Sequence, residues 1–166
     1  MKEVRPTSSR VLAALFNILG SVDGLSCADI FAGTGRVGLE ALSRGAADVV
    51  FVEVLRDRAA SIEQALPSEL GDRATVLSLE LRRGLAWLKK REKTFDVIFA
   101  DPPYGEGWAK SLMSVKNLDE LLKPNGIFIM ERSTREQLTA APPWVVFDER
   151  VYGETTLSFL KIPIQN

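Results

Sequence analysis

Asp101-Pro102-Pro103-Tyr104 ends the apolar run Phe95-Asp96-Val97-Ile98-Phe99-Ala100, which predicts a buried strand. Proline fixes φ and carries no backbone N–H, so two in a row make a stiff turn whose carbonyls face outward. The carboxylate accepts hydrogen bonds from an amino group, and the ring offers a flat face to a nucleobase. An exocyclic amine on a base is a poor nucleophile, because its lone pair is delocalised into the ring. Two acceptors aimed at its hydrogens, the Asp101 carboxylate and the Pro102 carbonyl, let that lone pair localise. The nitrogen turns cationic as a group is transferred to it, and a nearby carboxylate stabilises that charge. Tyr104 is placed to stack on a base turned out of its helix or loop. A simpler role for Asp101 is turn opening, since Asp-Pro favours turns.

Gly33-Thr34-Gly35-Arg36-Val37-Gly38 fits G-x-G-x-x-G between a predicted strand, Cys27–Phe31, and a predicted helix, Arg36–Arg44. The first glycines permit a tight turn and close approach of a ligand, and the last lets helix pack on strand. Glu53 follows about 20 residues on, where an acid binds a ribose diol. This pattern alone fits NAD as well as S-adenosylmethionine. Asp29 on the first strand, suited to a cofactor amino group, tilts the choice to S-adenosylmethionine. So does Asp101–Tyr104, which has no task in a nicotinamide dehydrogenase.

The elements that must hold these residues alternate. Helical periodicity runs from Pro6 to Leu19, with Val11, Leu12, Leu15, Phe16 and Leu19 on one face and Thr7 or Ser8 as cap. Strands are predicted at Asp48–Val54, Thr75–Leu79, Phe95–Ala100 and Ile127–Glu131. Helices are predicted at Asp57–Leu66, Leu85–Arg91 and Trp108–Leu122, the last stopped by Lys123-Pro124-Asn125-Gly126. Trp144–Tyr152 and Thr155–Ile162 form a β pair turning at Gly153. The fold expected is α/β and doubly wound: a mostly parallel seven-stranded sheet with an antiparallel C-terminal hairpin, Rossmann-like, of the class I S-adenosylmethionine-dependent methyltransferase kind.

The 166 residues suit a single domain over 1–166, with an N-terminal helix in 1–20, a core in 27–131 and the hairpin in 144–162. One cysteine, Cys27, excludes an internal disulfide and fits a reducing compartment. No apolar run reaches membrane-spanning length and Met1–Pro6 lacks a signal core, so a cytoplasmic protein without a membrane partner is expected. The absence of histidine removes histidine base catalysis and the common zinc sites, and no metal is expected. A net charge of -1 argues against coating nucleic acid through bulk charge. A local basic face could come from Arg5, Arg10, Arg82, Arg83, Lys89, Lys90, Arg91 and Lys93.

Taken together, the motifs resemble one family. Arg5-Pro6-Thr7 leading into Arg10-Val11 and Ala14–Leu19 is similar to the N-terminal helix of bacterial 16S rRNA guanine-N2 methyltransferases of the RsmD type. Asp29–Gly35 through Gly38–Ala46 resembles that family's cofactor motif, Asp101–Tyr104 its catalytic motif, and Arg150-Val151-Tyr152-Gly153-Glu154-Thr155 its C-terminal signature. The resemblance implies methyl transfer from S-adenosylmethionine to a guanine N2 in 16S rRNA, on naked rRNA or the assembled 30S subunit, by a monomer. It implies catalysis by Asp101, Pro102, Pro103 and Tyr104. Cofactor binding is expected at Asp29, Phe31, Gly33, Thr34, Gly35, Gly38, Glu53 and Val54, and RNA contact at Arg5, Arg10 and Arg150.

The sequence departs from that pattern in two places. Family members usually carry a basic segment before Arg-Pro-Thr, where only Met1–Val4 stand here. They also offer an aspartate after the third strand, thought to meet the adenine amino group. Here Ser78–Leu88 places Arg83 near that position, leaving Glu80 or backbone groups as substitutes. The rival readings are a DNA adenine or cytosine amino-methyltransferase, disfavoured by the lack of a target-recognition domain, and a non-catalytic RNA- or ribosome-binding relative.

Overall fold

Strands β1 (Ser26–Ile30), β2 (Asp48–Val52), β3 (Ala74–Leu77), β4 (Phe95–Ala100), β5 (Leu122–Ser133), β6 (Val145–Tyr152) and β7 (Thr155–Lys161) form one sheet in the order β3-β2-β1-β4-β5-β7-β6. The computed structural model describes residues 7–165, so Arg5 and Pro6 lie outside the described residues. β3, β2, β1, β4 and β5 pair in parallel, while β7 runs antiparallel to both β5 and β6. This is the expected mostly parallel sheet with a C-terminal hairpin. No helix among the described residues is long and apolar enough to cross a membrane.

Strand side chains alternate between faces, and across β2, β1, β4 and β5 the register keeps odd residues beside odd: Asp29 is in register with Phe51 on β2 and Phe99 on β4, and Phe99 with Ile129 on β5. Val49, Phe51, Val97, Phe99 and Ile129 therefore pack on one side, under α1 (Ser9–Leu19), α2 (Arg36–Ser43) and α3 (Arg56–Ala65). Ala28, Ile30, Val50, Val52, Ile98, Phe128 and Met130 pack on the other, against α4 (Leu81–Lys90) and the chain around Trp108–Leu122. α1 presents Val11, Leu12, Leu15 and Phe16 to the core, and Ser8 caps it by accepting from the Val11 N–H at 3.2 Å.

The helix expected over Trp108–Leu122 is not there. A single turn, α5 (Trp108–Ser111), is followed by 3₁₀ turns at Leu112–Ser114 and Asp119–Leu121. Leu112, Val115, Leu118 and Leu121 are all buried and recur every three residues. The N–H groups of Val115, Leu118 and Leu121 each donate to the carbonyl three residues back, at 3.1, 3.3 and 3.2 Å. That repeat belongs to 3₁₀ geometry, and Asn117 at φ 78° interrupts any continuous helix. α4 also starts earlier than expected, at Leu81, because Glu80 caps it by accepting from the Arg82 N–H at 2.9 Å.

Candidate active site

The parallel strands all deliver their C-terminal ends to one edge, and β1 is the strand where neighbours β2 and β4 diverge. Open α/β sheets bind ligands at such a point. The glycine loop leaves β1 there. Gly33 and Gly35 have φ of 58° and 76°, a region that L side chains avoid. A side chain at Gly35 would also meet Ile62 on α3 at 2.8 Å. An open cleft lies against this loop, lined among others by Thr7, Asp29, Phe31, Thr34 and Asp101.

Two acids shape the loop. Glu53 is buried just beyond β2; its Oε1 accepts from the Gly33 N–H at 2.8 Å and its Oε2 from the Leu55 N–H at 2.7 Å. Asp29 is buried on β1, and its Oδ2 accepts from the Gly38 N–H in the first turn of α2 at 3.0 Å. The N-cap position of α2 is Gly35, which offers no capping side chain. Asp29 therefore supplies from the neighbouring strand the acceptor that helix starts require.

Asp101, just past β4, and Glu131, on β5, keep the odd phase of Asp29 and Glu53, each one residue beyond the Ala100–Met130 pair. Four acids from four adjacent strands thus share one end of one face. Burial, and then the nearby Glu53 and Glu131 carboxylates, push Asp29 up to about 8. Burial, then Glu131 and Asp29, raise Asp101 well above the carboxylate range. Burial raises Glu131 too, opposed by the Thr7 hydroxyl, which donates to Glu131 Oε2 at 2.9 Å. Among the described residues no three such side chains are placed to hold a metal ion. This row offers a pyrophosphate no cation, and the Gly33 amide that would cradle one is already engaged by Glu53. An amino group and ribose hydroxyls are what these acceptors can take, so the set fits S-adenosylmethionine better than NAD.

The loop after β4 stands across the cleft from the glycine loop. Asp101 and Pro102 are half-buried, Pro103 is exposed, and Tyr104 is 61% exposed. Phe31, at φ 58°, meets the Trp108 ring edge-on at 5.1 Å, and the Arg82 guanidinium lies 5.2 Å from the Trp108 ring centre. Val54, at 58% exposure, and Leu55, at 47%, form an apolar rim beyond Glu53.

The remaining expected residues scatter. Arg10 lies over the Tyr152 ring at 5.8 Å, and Arg150 is ion-paired with Asp148 at 3.1 Å on the edge strand β6, away from the cleft. Glu80 is committed to its cap, and Arg83 is exposed on α4. Sequence reasoning missed Glu131, Thr7 as its partner, and Arg36, which donates to the Thr7 carbonyl and the Ser9 hydroxyl at 2.6 Å each. Glu131 carried a signal: an acid at the end of an apolar run, like Glu53 and Asp101.

The family model described as "Conserved hypothetical protein 95" matches residues 1–161. The chain belongs to that family. This bears out the resemblance drawn from the motifs. Ribosomal RNA small subunit methyltransferase D of Haemophilus influenzae is 32% identical over 155 residues, covering 90% of this chain and 79% of its own. The protein of that name from Escherichia coli is 31% identical over 156 residues, covering 91% and 76%. The solved structure of a conserved hypothetical protein from Streptococcus pyogenes has a TM-score of 0.78 at 27% identity, covering 90% of this chain and 94% of that one. TrmN from Thermus thermophilus reaches a TM-score of 0.73 at 21% identity, over 92% of this chain and 48% of that one, a likeness of fold alone. The fold of this member of the Conserved hypothetical protein 95 family is that of class I S-adenosylmethionine-dependent methyltransferases.

Proposed function

We propose that the protein transfers a methyl group from S-adenosylmethionine to the exocyclic N2 of a guanine in small-subunit rRNA. The observation that carries this reading is the Asp101–Tyr104 loop set across the cleft from the glycine loop, above a row of buried acids. The relatives named as small-subunit rRNA methyltransferases support RNA as the substrate class. S-adenosylmethionine, when bound, supplies a methyl sulfonium that needs no metal to activate it.

The chain's own residues do the rest. Glu53 keeps lone pairs beyond the two amides it holds and is the acceptor for ribose hydroxyls. Asp29, with Oδ1 outside the Gly38 bond, is the acceptor for the amino group, and Phe31, Thr34 and Val54 wall the ligand. Asp101 and the Pro102 carbonyl accept from the target amine and align it, while the exposed Tyr104 ring takes the base face. Transfer of the methyl group from the sulfonium to the amine nitrogen would leave that nitrogen cationic, with a proton to lose. The Asp101 carboxyl, when ionised, is placed to take that proton, and its raised proton affinity suits the role.

Incubating the protein with labelled S-adenosylmethionine and, separately, 30S particles, naked 16S rRNA and DNA from a strain lacking the activity tests this. Label at a guanine N2 of the rRNA is expected. Label confined to DNA would overturn the reading.

A further inference from the structure

The prolines that stiffen the Asp101–Tyr104 loop also remove two of its backbone donors. The first N–H past Tyr104 belongs to Gly105, at φ 79°. It donates to Glu136 Oε1 at 2.9 Å, from the segment that follows β5. A second tie lies four residues on, where the Thr139 N–H donates to the Ala109 carbonyl at 3.0 Å. The segment Ser133–Thr139 is therefore strapped along the loop that carries Tyr104.

Glu136 is itself held from behind. Its N–H donates to the Ser133 carbonyl at 3.0 Å, and its carbonyl accepts from Arg132 Nη1 at 2.5 Å. Arg132 also donates from Nε to Ser158 Oγ on β7 at 3.1 Å and from Nη2 to Glu149 Oε2 on β6 at 2.5 Å. Ser158, fully buried, donates to the same Glu149 oxygen at 2.8 Å. The Thr134 N–H donates to the Glu154 carbonyl at 2.8 Å, and the Thr134 and Thr156 hydroxyls meet at 2.8 Å. One continuous set of hydrogen bonds thus runs from the C-terminal hairpin, through Arg132 and Glu136, to the amide after Tyr104.

We propose that Glu136 is a positioning residue for the target base: its carboxylate fixes the Asp101–Gly105 loop, and Arg132 makes the β6–β7 hairpin the foundation of that hold. The inference rests on the methyltransferase reading for its consequence and on the hydrogen bonds for its geometry. Glu136 acts through Gly105 and touches neither amine nor cofactor. Its loss loosens Tyr104 and the Pro102 carbonyl while leaving Asp29, Glu53 and the glycine loop in place.

The test uses the full chain with Glu136→Ala and Glu136→Gln. Hydrogen exchange at the Gly105 amide is read without substrate; exchange at least about tenfold faster in Glu136→Ala is expected. Unchanged exchange would overturn the proposal whether or not the protein methylates RNA. With rRNA particles, Glu136→Ala is expected to lower kcat/KM for RNA by about tenfold to a hundredfold, because misplacing a reacting group by about 1 Å costs that order. Calorimetric affinity for S-adenosylmethionine should stay as in the parent. Glu136→Gln should recover most of the activity, since its amide oxygen accepts the same N–H. A Gln variant as impaired as the Ala variant, or cofactor affinity falling in step with kcat, would overturn the hydrogen-bond role. Absence of transfer by the parent protein would instead sink the functional reading and leave the exchange result to decide the loop.

Discussion

Asp29 on β1 caps α2 from outside the helix, its Oδ2 accepting the Gly38 N–H at 3.0 Å. The bond ties the strand that launches the glycine loop to the helix that receives it, so the loop is fixed at both ends before any ligand arrives. It also buries a carboxyl beside Glu53 and Glu131, which pushes Asp29 up to about 8 from 3.8.

A pH dependence of stability follows. A carboxyl whose folded pKa lies above its unfolded one binds its proton more tightly when folded. Its contribution is fully present below about pH 4 and is lost as pH rises through about 8. Asp29→Asn keeps an oxygen for Gly38 and removes that titration. The variant's melting temperature should gain on the parent's steadily from pH 4 to pH 9, since Asp101 and Glu131 titrate in both. Parallel curves by scanning calorimetry would reject the burial of a titrating Asp29.

Glu53 serves two amides with two oxygens, and that division is testable. In Glu53→Gln one oxygen becomes an NH₂, which must face either the Gly33 or the Leu55 N–H. A buried donor left unpaired costs about 1–3 kcal/mol. The variant should lose roughly that much in urea denaturation and bind S-adenosylmethionine more weakly. Full stability with lost affinity would mean the amides find other partners and Glu53 serves the ligand alone.

Much of this was readable in the residues. The alternation of apolar runs gave the sheet, and Gly33–Gly38, Glu53 and Asp101–Tyr104 each mark a strand end. What could not be read is which acids meet. Asp29, Glu53, Asp101 and Glu131 converge because the register puts Asp29 beside Phe51 and Phe99, and Phe99 beside Ile129. A one-residue slip in any pairing would turn an acid to the opposite face. The stretch Trp108–Leu122 misled because its three-residue repeat also fits part of a helical stripe. Glu136 is invisible for another reason: a lone acid in a polar loop says nothing of a Gly105 amide 31 positions away.

Gly38 has a packing role besides its place in the motif. A Cβ there would sit 2.3 Å from the Phe51 ring, which is fully buried on β2 and has no room to yield. Gly38→Ala must push α2 off the sheet, and overpacking of this kind costs about 1–3 kcal/mol. The shift also lengthens the Asp29 cap. Lower urea midpoints and weaker cofactor binding are expected together. A variant as stable as the parent would mean that α2 moves freely, against the tight contact seen here.

Asp101 separates charge from hydrogen bonding. Asp101→Asn keeps a carbonyl for the target amine but cannot take its proton or offset its developing positive charge. Loss of one such electrostatic partner costs about 10²–10³ in kcat. Asp101→Ala removes the acceptor as well and should fall further. Both should still bind S-adenosylmethionine, because the glycine loop, Asp29 and Glu53 are untouched. The raised proton affinity of Asp101 adds a second signature. As pH rises and this carboxyl ionises, the parent's single-turnover rate should climb, whereas the Asn variant should show no such limb. Equal rates in parent and Asp101→Asn across the pH range would remove Asp101 from the chemistry and leave the loop a purely structural turn.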